Sequence, residues 1–173
     1  TIGTLMSFLV IALSIQNQKI DQKKYQDQYA EQQKLVAQMN SDNSEALPGY
    51  SARAFDAASV TELKVEVLAE GDGEEVKSTD KINSSYFGWT SDGKIFDSSK
   101  KKSADDSPAT FSLSGVISGW TEGLTGQKVG SVVRLTIPAD KAYGSSGSGI
   151  IPADAPLEFI VIIHKIDNSS DSG

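Results

Sequence analysis

Hydrophobic and polar positions change rhythm twice along the chain. Ile2 to Ile15, IGTLMSFLVIALSI, contains no charge. Gln16 to Asn40 is dense in Gln, Lys and Asp and free of Gly and Pro, and it sets Tyr25, Tyr29, Val36 and Met39 close to helical spacing. Gln32 interrupts that stripe, so a solvated polar helix is preferred to a coiled-coil seam. Ser41 to Ser59 mixes Pro48, Gly49 and small polar residues, which favour turns. Beyond it the period shortens to two. Leu63, Val65 and Val67 alternate with Lys64 and Glu66, Val133, Leu135 and Ile137 with Arg134 and Thr136, and Leu157, Phe159, Val161 and Ile163 share one face. These read as strands with one buried side. Trp120 and Leu124 lie one helical turn apart, but Gly119, Gly123 and Gly126 limit any helix there to a short piece. The expected fold class is α+β, a curved antiparallel sheet around one short helix, preceded by an N-terminal membrane or stalk helix.

The uncharged run falls short of the ~20 apolar residues that span a bilayer. Three readings fit it: the end of a membrane helix, the apolar core of a secretory signal peptide, and a buried helix. The anchor is preferred, because no small-residue cleavage site follows and no amphipathic partner for a buried helix is visible. The chain begins with Thr rather than Met, so upstream residues are expected. The layout is then a truncated transmembrane or signal-anchor segment at 1–15, a polar helical stalk at 16–40, a linker at 41–59, the β-rich domain at 60–167 and a flexible tail at 168–173. The domain is expected on the extracytoplasmic side of the membrane, although Lys19, Lys23 and Lys24 beside the run argue against that orientation.

Composition narrows the chemistry. Among 173 residues, 16 Lys and Arg face 23 Asp and Glu, and the net charge of −7 repels a phosphate backbone. Nucleic acid is therefore not expected as a partner. With no cysteine and one histidine, His164, thiol catalysis is excluded and little is left for a zinc site. No cofactor is expected. Asp92-Gly93 is a strong hairpin signal. Asp97, before Ser98 and Ser99, reads by itself as a turn cap. Tyr86, Phe96, Trp120, Tyr143 and Phe159 would by default be core residues, but their placement beside turns and glycines suits rings that line a mouth. His164 falls on the face of its strand opposite Phe159, away from those rings.

Four segments together resemble the FKBP-type peptidyl-prolyl isomerases over about residues 60–166. They are Tyr86-Phe87-Gly88 with Asp92-Gly93-Lys94-Ile95-Phe96-Asp97-Ser98-Ser99, then Val116-Ile117-Ser118-Gly119-Trp120-Thr121-Glu122-Gly123-Leu124, then Val129-Gly130 leading into the Arg134-to-Ile137 strand, and finally Ala142-Tyr143-Gly144, Gly149-Ile150-Ile151-Pro152 and Leu157-Glu158-Phe159. The resemblance implies catalysis of cis/trans rotation about Xaa-Pro bonds in proline-containing polypeptides. It makes Trp120 the floor beneath the proline ring, Val116, Ile117 and Ile151 aliphatic walls, and Tyr86, Phe96 and Phe159 aromatic sides. The Ile117 N–H and the Tyr143 hydroxyl would hold substrate carbonyls. Asp97, hydrogen-bonded to Tyr86, would stand near the rotating carbonyl.

The sequence departs from the family at the rim. Ala109 stands where many members carry an aromatic wall residue, so one side of the pocket is expected to be open. Lys100 to Ser107 is longer than usual and Leu113 to Val116 shorter. The preferred reading is a tethered isomerase that helps exported or membrane-proximal chains to fold. The alternatives are a weakly catalytic binding or chaperone module and an assembly subunit of a larger membrane complex.

Overall fold

A computed structural model describes the backbone of residues 2–167, with side chains for Lys19 and residues 21–167. The elements in chain order are α1 (Ile2–Asn43), β1 (Lys64–Ala69), β2 (Lys81–Thr90), β3 (Ile95–Ser98), β4 (Ala109–Ser112), α2 (Ser118–Leu124), β5 (Val132–Ile137) and β6 (Leu157–Ile166), with short 3-10 turns at Ala57–Ser59, Ala139–Lys141 and Gly144–Ser146. The polar tail at 168–173 lies outside the described residues.

The strands form one antiparallel sheet in the order β1-β5-β6-β2-β3, and β4 also pairs with β2. Its centre is the pair of ten-residue strands β2 and β6, in register from Ser84↔Ile163 to Thr90↔Leu157. On one face Val133, Leu135, Ile137, Leu157, Phe159, Val161 and Ile163 are buried, and α2 packs Trp120 and Leu124 into the same cluster. The alternation seen in the sequence accounts for this face, because side chains two apart on a strand point the same way. Strand β1 departs from it. Val65 and Val67 remain 41% and 45% exposed, since β1 is the edge of the sheet and α2, seven residues long, cannot cover it fully.

The opposite face has its own core. Phe87 and Trp89 stack at 5.1 Å between ring centroids, and Val132 and Ile160 join them. The cover comes from the 41–59 stretch read as a linker. Leu47 is 2% exposed in this cluster, Tyr50, Ala52 and Phe55 pack against it, and the Arg53 carbonyl accepts the Trp89 indole N–H at 3.0 Å.

The N-terminal expectations need correction. Among the described residues no helix is long and apolar enough to cross a membrane. The membrane partner, the single-helix anchor and the extracytoplasmic placement built on that anchor are therefore withdrawn. The separate stalk goes with them. One helix runs from Ile2 to Asn43, and the chain divides into compact units between Val36 and Ala37, so the last turns of α1 belong to the unit that holds the sheet. Within the first unit the described side chains, Tyr25, Tyr29 and Val36 among them, are exposed.

Leu47→Ala should lower stability by about 2–5 kcal/mol, as expected for emptying a fully buried site. Urea unfolding followed by Trp89 emission checks this; a loss within error of zero would mean that the 44–55 stretch does not seal this face.

Candidate active site

The hairpin between β2 and β3 is held by Gly93, whose φ of +82° suits a residue without Cβ. Across it the Tyr86 hydroxyl donates to Asp97 Oδ2 at 2.5 Å. These two residues form one rim of a pocket of about 290 Å³ lined by Tyr86, Phe96, Asp97, Phe111, Gly115, Val116, Ile117, Trp120, Tyr143 and Phe159. Its walls are rings set edge to face: Tyr86–Trp120 at 5.6 Å, Trp120–Phe159 at 5.4 Å and Phe96–Phe159 at 5.5 Å. Such contacts fix ring orientations as well as burying area. Gly88 makes the arrangement possible, because a Cβ there would stand 2.5 Å from the Phe159 ring and 2.6 Å from the Phe96 ring.

Eight of the nine residues singled out in the sequence line this pocket: Tyr86, Phe96, Asp97, Val116, Ile117, Trp120, Tyr143 and Phe159. Ile151 does not. It lines an adjoining cavity of about 150 Å³, which shares Phe96, Asp97 and Tyr143 with the first and is completed by Ala37, Asn40 and residues 148–150. The side expected to be open at Ala109 is closed by Phe111, two residues along β4, whose ring meets Tyr86 and Trp120 at 5.2 Å each. Period-two spacing from Ala109 was the signal that could have found it.

The polar groups of the site are concentrated on Asp97. Its Oδ1 accepts from the Asn40 amide at 2.7 Å, the Ser98 N–H at 2.9 Å and the Lys101 ammonium at 3.1 Å. Burial penalises the carboxylate, but the hydrogen bonds from Tyr86, Asn40 and Lys101 and the charge of Lys101 outweigh it, so the carboxyl lies below its ordinary range. The Tyr86 phenol is pushed far up by burial first, then by its hydrogen bond to Asp97 and the charge of that group. Burial and the same charge also raise Tyr143. At neutral pH the rim is thus one carboxylate facing two neutral phenols. Asn40 and Lys101 escaped the sequence reading, Asn40 as part of a polar helix and Lys101 as part of the lengthened 100–107 segment.

Elsewhere, Ser85 Oγ lies 2.6 Å from His164 Nε2 and also hydrogen-bonds Asp106. Serine sits between the other two, the wrong order for a base-activated nucleophile. This trio instead ties the long 100–107 loop to the sheet, together with Ser99, which donates to Asp106 at 2.6 Å. Among the described residues no cluster of potential metal ligands occurs.

Residues 72–164 match the family model of the FKBP-type peptidyl-prolyl cis-trans isomerase. The chain belongs to this family. An FK506-binding protein of Neisseria meningitidis is 40% identical over 105 residues, 60% of this chain and 95% of the relative. The FKBP-type isomerase FkpA of Aeromonas hydrophila is 40% identical over 111 residues, 64% of this chain and 40% of the relative. The crystal structure of FkpA from Escherichia coli superposes with a TM-score of 0.58 at 30% identity, covering 86% of this chain and 65% of that one. The chain spans about two fifths of the length of the FkpA relatives from Aeromonas hydrophila and Escherichia coli. Within the FKBP match lie the pocket residues and Lys101, whereas Asn40 and Leu47 precede it.

Because the folded protein holds the Tyr86 proton more tightly than the unfolded chain does, stability is complete below the unfolded phenol pKa of roughly 10 and falls as pH rises past it. Tyr86→Phe should remove part of that decline. Urea midpoints compared between roughly pH 9 and pH 11 should fall less steeply in the variant than in the natural chain, and parallel slopes would contradict the assigned burial of the phenol.

Proposed function

We propose that this FKBP domain catalyses rotation about Xaa-Pro bonds in polypeptides whose proline enters the aromatic pocket, and so speeds the folding of chains that present such bonds. The observation that carries the reading is Asp97, hydrogen-bonded to Tyr86 at 2.5 Å and standing at the rim of a largely apolar, aromatic-walled pocket of about 290 Å³.

Amide resonance places negative charge on oxygen and double-bond character in C–N, which raises a barrier of roughly 18–20 kcal/mol. Twisting the bond removes most of that charge separation. A site that exposes few dipoles to the amide therefore favours the twisted form over the planar one, a gain realised only in the transition state. In this reading Trp120 is the floor for the proline ring, Val116 and Ile117 form the aliphatic side, and Tyr86, Phe96, Phe111 and Phe159 surround it. The Ile117 N–H, ahead of the first turn of α2 where helical donors lack partners, holds one flanking carbonyl. The Tyr143 hydroxyl, on a side chain 38% exposed at the mouth, holds another. Asp97 stands beside the rotating carbonyl, its fixed charge interacting most favourably with the twisted geometry. Ile151 shapes the adjoining cavity, where the chain flanking the proline can pass. No bond is made or broken, so no nucleophile is needed.

The natural chain should accelerate isomerisation of a Leu-Pro peptide. Asp97→Ala and Tyr143→Phe should each lower turnover roughly tenfold, the scale of one hydrogen bond to a charged or developing polar group. Tyr143→Phe should leave the unfolding midpoint nearly unchanged, whereas Asp97→Ala, which strands the Tyr86 hydroxyl and the Asn40 amide, should lower it without unfolding the domain. Trp120→Ala should reduce activity and also cost about 3–5 kcal/mol of stability, since the ring is 4% exposed. A folded natural chain that gives no acceleration over the uncatalysed rate would sink the proposal.

A further inference from the structure

The end of α1 is fastened to the edge of the active site. Ser41 Oγ donates to the Ile95 carbonyl at 2.6 Å, the Lys102 N–H to the Asn43 carbonyl at 2.8 Å, and the Glu45 N–H to the Lys100 carbonyl at 3.0 Å. These bonds reach β3 on one side of Asp97 and the following loop on the other. Asn40 is thereby delivered to Asp97 in a fixed position. Its Nδ2 donates to Asp97 Oδ1 at 2.7 Å, and its Oδ1 accepts from the Lys101 ammonium at 2.6 Å, which itself reaches Asp97 Oδ1 at 3.1 Å. The amide orientation is determined by this closed triangle. Turned over, it would set its oxygen against a carboxylate and its NH₂ against an ammonium.

We infer that Asn40 is a positioning residue for the isomerisation: with Lys101 and the Ser98 N–H it saturates one oxygen of Asp97, fixes the carboxylate plane, and leaves the other oxygen to Tyr86 at the pocket rim. The FKBP domain thus depends on a side chain supplied from before residues 72–164, the stretch that matches the family model. This inference rests on the proposed role of Asp97 in the reaction. It follows physically because the bond to Tyr86 has the right direction only while the carboxylate is held from its far side. The Ser98 N–H belongs to the next residue and moves with Asp97, and an ammonium attracts without prescribing a plane, so the directional hold from outside the hairpin is the Asn40 amide. The charged and titratable groups that face Asp97 are Lys101 from the following loop, Tyr86 from β2 and Tyr143 from the segment after β5. From α1 the facing group is the neutral Asn40, which lowers the Asp97 pKa by hydrogen bonding.

The test uses the full chain and follows both the exchange kinetics of a Leu-Pro peptide and the Asp97 carboxyl carbon through a pH titration by NMR. Asn40→Leu, which keeps the helix and much of the side-chain shape, should reduce kcat roughly tenfold, and it should move the Asp97 titration midpoint upward. Asn40→Asp, which sets a second carboxylate against the first, should move the midpoint further in the same direction. Gln38→Ala is the control for disturbance of the helix end, since Gln38 contacts Asp42 and Lys94 but not Asp97, and it should leave both readings unchanged. If the natural chain is active and Asn40→Leu retains its kcat and the Asp97 midpoint, the positioning role is overturned while the isomerase reading stands. Equal losses in Gln38→Ala and Asn40→Leu would overturn it as well. An inactive natural chain would overturn both.

Discussion

A carboxylate has to stay ionised against a wall of aromatic rings. Burial works against that charge, and the rest of the site is arranged to offset it. Tyr86 reaches Asp97 across the hairpin, Ser98 offers its backbone, Lys101 brings a full charge from the loop, and Asn40 arrives from a different part of the chain. The long central strands, the tight turn at Gly93 and the docking of the helix end all serve to hold these donors within hydrogen-bond reach of one side chain.

Two cores on opposite faces of the sheet make that rigidity possible. The pocket side is closed by seven residues of helix and a ring of edge-to-face aromatics. The other side is sealed by an irregular stretch whose anchor, Leu47, lies under the stacked Phe87 and Trp89. Since Tyr86 and Phe87 are neighbours on β2 with side chains on opposite faces, one strand carries the pocket rim and the second core together.

How legible this was depended on the range of the interactions involved. The faces of β5 and β6 were written as alternation, and the hairpin as Asp92-Gly93, because both are properties of neighbouring residues. The pocket rings were visible through family resemblance, and Phe111 could have been added by counting two positions from Ala109. Asn40 and Lys101 could not be found this way: an amide in a polar helix and a lysine in a charged loop look solvated until the fold brings them to the same carboxylate. Leu47 was hidden for a similar reason, a single apolar residue among turn formers whose partners lie far along the chain. The membrane anchor was read from absence of charge, which is necessary for a span but does not make one.

The two tryptophans of the chain stand on opposite sides of the sheet. Trp120 lines the pocket, while Trp89 is sealed under the 44–55 stretch with its N–H on the Arg53 carbonyl. The protein therefore carries two separate optical windows. With Trp89 replaced by phenylalanine the remaining emission watches occupancy of the site, and with Trp120 replaced it watches the closure of the back of the sheet, so that events on the two faces can be timed against each other in one molecule.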